Sequence, residues 1–143
     1  MSYVTTDQLS DRYGSNMLVD LTDRGTPASG AIDTDVVARA VADTAAVIDG
    51  HLAKRYTLPL SEVPALITDL AASIAIWKLH VYEPSGKIEA DYKEAMRQLA
   101  AIAAGTITLP LASGAEAAGA SGTGARITDR ERPFTEDTMK GFI

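Results

Sequence analysis

The nineteen residues from Pro64 to Tyr82, PALITDLAASIAIWKLHVY, constrain this chain more than any other stretch. Leu66, Ile67, Leu70, Ile74, Trp77 and Val81 recur at helical spacing, and Ala71, Ala75 and Leu79 widen the stripe. That pattern predicts an α-helix about 28 Å long with a broad apolar face. Pro64 suits the first helical position, where its missing N–H costs nothing, and Pro84 marks the exit. The small residues Ala71, Ala72, Ser73 and Ala75 let a second helix approach closely. A membrane span is the rival reading, but Asp69 and Lys78 interrupt the run and leave it too short. The stretch reads as a central core helix.

A chain of 143 residues suits one domain with a real core and an appended arm. Alanine dominates the apolar content, and only eight residues are aromatic. Cores of that kind bury little area per residue, so stability is expected to draw on oligomerisation. With no cysteine, disulfides, thiolate metal sites and cysteine nucleophiles are excluded. Met1-Ser2-Tyr3-Val4 has neither a basic n-region nor an apolar h-region, so no signal peptide is expected and the cytoplasm is the expected site of synthesis and use. The net charge is −6, and the acid excess is spread along the chain without a basic patch. That balance counts against phosphate-backbone binding as the main task.

Read in order, the chain predicts an all-α fold, a bundle of about four helices with a short extended segment. Thr5 and Gln8 have the spacing of a capping box, and Gly14 ends or bends the first helix. Ser15 starts a second short turn carrying Met17, Leu18 and Leu21, and DRGTPASGA (Asp23 to Ala31) reads as loop. A long helix is predicted from Asp33 or Thr34 to about Arg55, with acids at its start and Lys54 and Arg55 at its end. Its stripe is Val37, Ala40, Val41, Thr44, Val47, Ile48 and Leu52. Thr57-Leu58-Pro59-Leu60 is an extended connection into the central helix. After Pro84-Ser85-Gly86 a further helix is predicted from Lys87 to Ala104, with Gly105 as its stop. Thr106 to Pro110 is the short extended segment.

Composition changes at Ala112. Residues 1–111 read as the helical domain, 112–125 as a Gly/Ala/Ser-rich flexible linker, and 126–143 as a C-terminal docking arm. The arm, RITDRERPFTEDTMKGFI, sets Ile127, Phe134, Met139, Phe142 and Ile143 among charges. Two phenylalanines in so short a tail favour docking on another surface over plain fraying.

No catalytic constellation emerges. His51 and His80 are the only histidines and fall late in the second long helix and in the central one. Neither sits in an HExxH or paired-carboxylate pattern, so helix-end placement is favoured over a metal pair. Asp33, Asp35 and Asp43 fit N-terminal helix placement better than acid–base chemistry. GASGTG (Gly119 to Gly124) lacks the Lys and Ser/Thr of a phosphate loop, and there is no GxSxG elbow. The two-helix unit over 37–82 presents Leu, Ile, Ala and Trp where a DNA-reading helix needs Arg, Lys, Asn or Gln. No cofactor and no metal are expected.

Four segments in order carry a resemblance: YVTTDQLSDRYG, AVIDGHLAKRYTLPL, VPALITDLAASIAIWKL and RPFTEDTMKGF. Together they resemble Mu-like bacteriophage head–tail adaptor (connector) proteins. Arg55-Tyr56 followed by Leu58-Pro59-Leu60 is the most telling piece. The resemblance covers nearly the whole chain except the Gly/Ala linker, whose length departs from the pattern.

The resemblance implies an α-helical virion protein of the head–tail neck, present in the host cytoplasm during assembly. It implies a homo-oligomeric ring, dodecameric in the virion, below the portal protein. Such a ring extends the DNA channel for ejection and offers a docking surface to a stopper or tail-completion protein. DNA passes through the lumen without specific binding, and no membrane is involved. The arm would reach onto the portal, with Phe134, Met139 and Phe142 as anchors and Arg130, Arg132 and Lys140 at the rim. The alternative is a small cytoplasmic enzyme or enzyme subunit using His51 and His80, and a weaker one is a nucleic-acid regulator.

Overall fold

Helix starts and stops fall where capping chemistry places them. In the structure, a computed structural model that describes residues 1–111, five helices follow one another: α1 (Thr6–Tyr13), α2 (Ser15–Thr22), α3 (Thr34–Leu52), α4 (Ala65–Leu79) and α5 (Gly86–Ala104). The linker over 112–125 and the arm over 126–143, including Arg130, Arg132, Phe134, Met139, Lys140 and Phe142, lie outside the described residues. The all-α expectation holds, with five helices in place of about four because Gly14 divides the N-terminal stretch into two short ones.

Thr5 accepts the Gln8 N–H while the Gln8 side chain takes the Thr5 N–H, so both halves of the capping box are made. Asp33 caps α3 by accepting from the N–H groups of Asp35 and Val36, which settles its role as structural. On α5, Lys87 pairs with Asp91, Lys93 with Glu89 and Arg97 with Glu94 along the solvent side. Such exposed pairs are screened by solvent and add little to stability.

The centre of the molecule is α4. Ile67, Leu70, every residue from Ala71 to Ile76, and Leu79 are buried. A helix apolar on all sides must be covered on all sides, and α4 packs against α3, α5 and α1. Its buried alanines keep the neighbouring backbones close, which gives an alanine-rich interior its packing density. Trp77 stacks on Tyr92 of α5, with ring centroids 4.0 Å apart and planes 9° from parallel. α1 is tied to α4 by an ion pair between Arg12 and Asp69, so the acid that interrupts the apolar run has a partner.

Three boundaries differ from the expectation. α4 ends at Leu79 and not at Tyr82, and Pro64 is its N-cap residue, not its first helical one. Glu83 precedes Pro84 and is therefore biased away from helical dihedrals, and His80 already has extended ones. Val81 is consequently not part of the buried stripe: it is 61% exposed, and Tyr82 is 89% exposed. α3 likewise ends at Leu52, and the chain turns through 53–55 so that the Tyr56 N–H still reaches the Leu52 carbonyl.

The three long helices alternate in direction, as two cross-links establish. Arg24, just after α2, donates to the carbonyl of Leu79 at the end of α4, while Thr22 of the same segment accepts from Asp33 at the start of α3. At the other end, the buried Tyr56 hydroxyl beyond α3 accepts the Leu109 N–H beyond α5 at 3.0 Å. One end of the bundle therefore holds the start of α3, the end of α4 and the start of α5. The other holds the end of α3, the start of α4 and the end of α5, where the described chain stops at Leu111.

Gly105 terminates α5 in the left-handed conformation (φ +87°), its N–H directed to the carbonyls of Ala101 and Ile102. A Cβ at this position would also collide with the Arg55 guanidinium. Gly105→Ala is expected to lower stability by roughly 1–3 kcal/mol, through left-handed strain and displacement of Arg55. Chemical denaturation followed by helical circular dichroism measures it; a neutral result would show that neither constraint operates.

Candidate functional site

Three places hold the chemistry-bearing residues singled out by the sequence. The first is the pair of histidines. His51 closes α3 and His80 follows α4, and because those helices run antiparallel the two rings stand at opposite ends of the bundle. Each Nδ1 lies 2.8 Å from the carbonyl four residues earlier, Val47 for His51 and Ile76 for His80. In both cases Nδ1–H is the donor, since a carbonyl only accepts. The His80 ring thus satisfies a carbonyl among the last four of α4, which have no intrahelical partner, while the His51 ring adds a bond to a carbonyl inside α3. They do not meet, so a site using both is contradicted by the fold. Among the described residues no group of three His, Asp or Glu side chains is placed to hold a metal ion. Asp35 and Asp43 are exposed on α3 and join no cluster.

The second place is the end of the bundle where the described chain stops. Tyr56 is buried there and binds the Leu109 backbone, Leu60 and Leu109 are buried beside the core, and Leu58 packs against it. The Arg55 guanidinium lies near the Tyr56 ring, 5.9 Å from its centroid, and against Gly105. The RY-x-LPL segment is therefore a clasp joining the ends of α3 and α5. It fixes where the chain leaves the bundle towards residue 112.

The third place is a notch of about 450 Å³ at the opposite end, lined by Asp20, Leu21, Asp23, Arg24, His80, Val81, Tyr82 and Glu83. Arg24 spans its base, donating to the carbonyls of Leu21 and Leu79 and so holding α2 against the end of α4. Asp23 is turned to the 23–31 loop, where it accepts from the N–H groups of Ser29 (3.0 Å) and Gly30 (2.7 Å) and from the Ser29 hydroxyl. Those bonds, the Ser29 N–H foremost, hold its carboxyl below the usual range. Asp20 and Glu83 pair with no cation among the described residues. Val81 and Tyr82 project beside them. Sequence reasoning placed Val81 on the core face and so missed this notch; the Glu83-Pro84 dipeptide was the signal that could have found it.

None of these places assembles a nucleophile, a general base and an oxyanion donor, and no helix among the described residues is long and apolar enough to cross a membrane. Comparison with known proteins is decisive for kinship. Residues 3–127 match the family described as Bacteriophage Mu, Gp36. This chain belongs to the Bacteriophage Mu Gp36 family. Within reach of the same sequence are two curated relatives. Gene product J of Escherichia phage Mu is 34% identical over 143 residues, all of both chains. The Mu-like prophage FluMu protein gp36 of Haemophilus influenzae is 30% identical over 141 residues, covering 99% of this chain and 98% of the relative. The resemblance to Mu-like phage proteins is thus shown for the Gp36 family as a whole. The family match stops at residue 127, whereas the alignment with gene product J runs over the whole of both chains and so takes in the last 16 residues as well.

Proposed function

We propose that this Gp36-family chain is a head–tail adaptor: a virion protein that assembles as a ring, dodecameric in the particle, below the portal. The ring extends the DNA channel and presents a surface to a stopper or tail-completion protein. The observation that carries this reading is the end-to-end alignment with a phage Mu gene product, which includes the arm. Physical features agree with it. A channel through which DNA slides should not grip phosphates, and a chain of net charge −6 without a basic patch meets that need. An alanine-rich bundle with few aromatics gains from neighbours, as ring members do. The arm would dock on the portal through Phe134, Met139 and Phe142, with Arg130, Arg132 and Lys140 at the rim of the contact.

Cross-linking with mass spectrometry on intact particles tests the reading. Links from Lys140 to the portal protein, and from Lys87 or Lys93 to a stopper or tail protein, are expected and would orient the ring. Absence of the protein from purified particles would overturn the virion role.

A further inference from the structure

The notch between α2 and the α4–α5 turn has two unmatched properties. Its apolar surface is uncovered, since Val81 and Tyr82 are 61% and 89% exposed and adjacent, with Leu21 only partly buried beside them. Adjacent exposed side chains of that size mark a contact surface more often than isolated ones do. Its charge is also unmatched. Asp20 and Glu83 line it with no cation paired to them among the described residues. Beside them are Asp23, which is turned to its own loop, and a single arginine, Arg24, which directs two of its five donors to the carbonyls of Leu21 and Leu79. An occupant complementary to this notch is basic and carries an aromatic or aliphatic anchor.

The chain itself supplies such a segment. Residues 126–134, RITDRERPF, hold Arg126, Arg130 and Arg132 against Asp129 and Glu131, and end on Phe134. The next nine residues, TEDTMKGFI, have no basic excess, so the complementary charge is concentrated in the first half of the arm. Reach is sufficient. The described chain stops at the end of the bundle opposite the notch, a separation set by α5 at about 28 Å. The fourteen residues 112–125 have a contour length of roughly 48 Å. A tether of that length places the arm at millimolar effective concentration relative to its own notch, well above the concentration of a second copy in dilute solution.

We propose that, in the free protein, residues 126–134 dock in cis into this notch. Phe134 covers Val81 and Tyr82, and Arg130 and Arg132 face Asp20 and Glu83. This concerns the protein before any partner is met and stands apart from the adaptor reading. Its consequence for that reading is that a partner must compete with the notch for the same anchors. Docking also shields the arm's aromatics and Tyr82 together, surfaces that would otherwise promote association.

The absence of cysteine from the chain makes the test clean. In the full-length protein, Thr135→Cys is combined either with Ser85→Cys, beside the notch, or with Ala104→Cys, near the root of the tether. Ser85 and Ala104 are both exposed, and the Ser85 side chain makes no cap hydrogen bond, so neither change removes a contact. Effective concentrations are read from disulfide formation in a glutathione buffer. A freely sampling tail closes more readily on the nearer Ala104→Cys. Docking reverses the order, with closure on Ser85→Cys favoured by about tenfold and independent of protein concentration. Adding Tyr82→Ala, or Arg130→Glu with Arg132→Glu, is expected to remove that preference. An order favouring Ala104→Cys overturns the proposal, and so does a Ser85→Cys preference insensitive to all of those changes. Linkage between an isotope-labelled and an unlabelled chain, rising with concentration, assigns the notch to a second copy and overturns docking in cis. Asp137→Cys in place of Thr135→Cys repeats the measurement should the first position disturb the arm.

Discussion

Replacing Ile74 with alanine is expected to lower the stability of the helical domain by about 3–4 kcal/mol, toward the upper part of the range for large-to-small core changes. Ile74 is fully buried within the stretch Leu70 to Ile76, where every residue of α4 is covered. Removing its side-chain carbons loses their transfer free energy and leaves a void that the surrounding helices can close only in part. A domain of this size has a total stability of roughly 5–15 kcal/mol, so the change consumes a large share of it. Leu66→Ala, at a half-buried position in the first turn of the same helix, is expected to cost about half as much. Urea denaturation followed by helical circular dichroism should show the midpoint of Ile74→Ala falling at an unchanged slope. Equal effects at the two positions would show that α4 is not enclosed as described.

Deleting residues 126–143 is expected to leave the helical domain folded and to abolish joining of tails to portal-bearing heads. Among the described residues the buried core runs from Tyr3 to Leu109, and the Tyr56 hydroxyl bond to Leu109 fixes its last residue without the arm. Under the proposed role the loss is nevertheless total, for a multivalent reason. Ordering a short arm costs free energy, so one arm binds weakly, and a ring of linked arms binds by avidity. Removing every arm removes that avidity at once. The measurement is a complementation assay counting full heads that acquire tails, beside the circular dichroism of the truncated protein. Unimpaired tail joining would end the arm's proposed role. Tyr82→Ala separates the two proposals: it should leave the arm intact for a partner while freeing it from the notch.

Much of the fold was legible because it is locally determined. Thr5, Asp33 and Gly105 act on backbone groups within a few residues of themselves, and each caps or stops the helix its position predicts. The periodicities of α3 and α5 were readable for a similar reason, since each helix has one covered face and one solvated face. α4 was legible as the core helix but not in its end. The apolar run continues through Val81 and Tyr82, and periodicity alone could not separate a helix from an extended apolar dipeptide. The restriction imposed by Pro84 on Glu83 outweighed the pattern.

The candidate sites were less legible. The partners of Arg12, Tyr3 and Tyr56 lie 57, 46 and 53 residues away in sequence. No local pattern encodes such pairs. The Tyr3 hydroxyl meets Asp49 on α3, and burial first, then that carboxylate, raises its ionisation above the ordinary phenol range. Tyr3 and Val4 therefore belong to the core, which no local pattern around them signals.

The sequence by itself determined that this chain makes helices, where most of them start, which one is innermost, and that its kin are Mu-like phage proteins. Each of these follows from short-range chemistry or from likeness along the chain. Only the tertiary structure decided that His51 and His80 stand apart, that the RY-x-LPL segment clasps two helix ends, and that Tyr82 faces outward beside carboxylates with no ion-pair partner among the described residues. Those facts depend on the alternating directions of three packed helices. Such an arrangement arises from burying α4 on every side, and no single stretch of residues contains it.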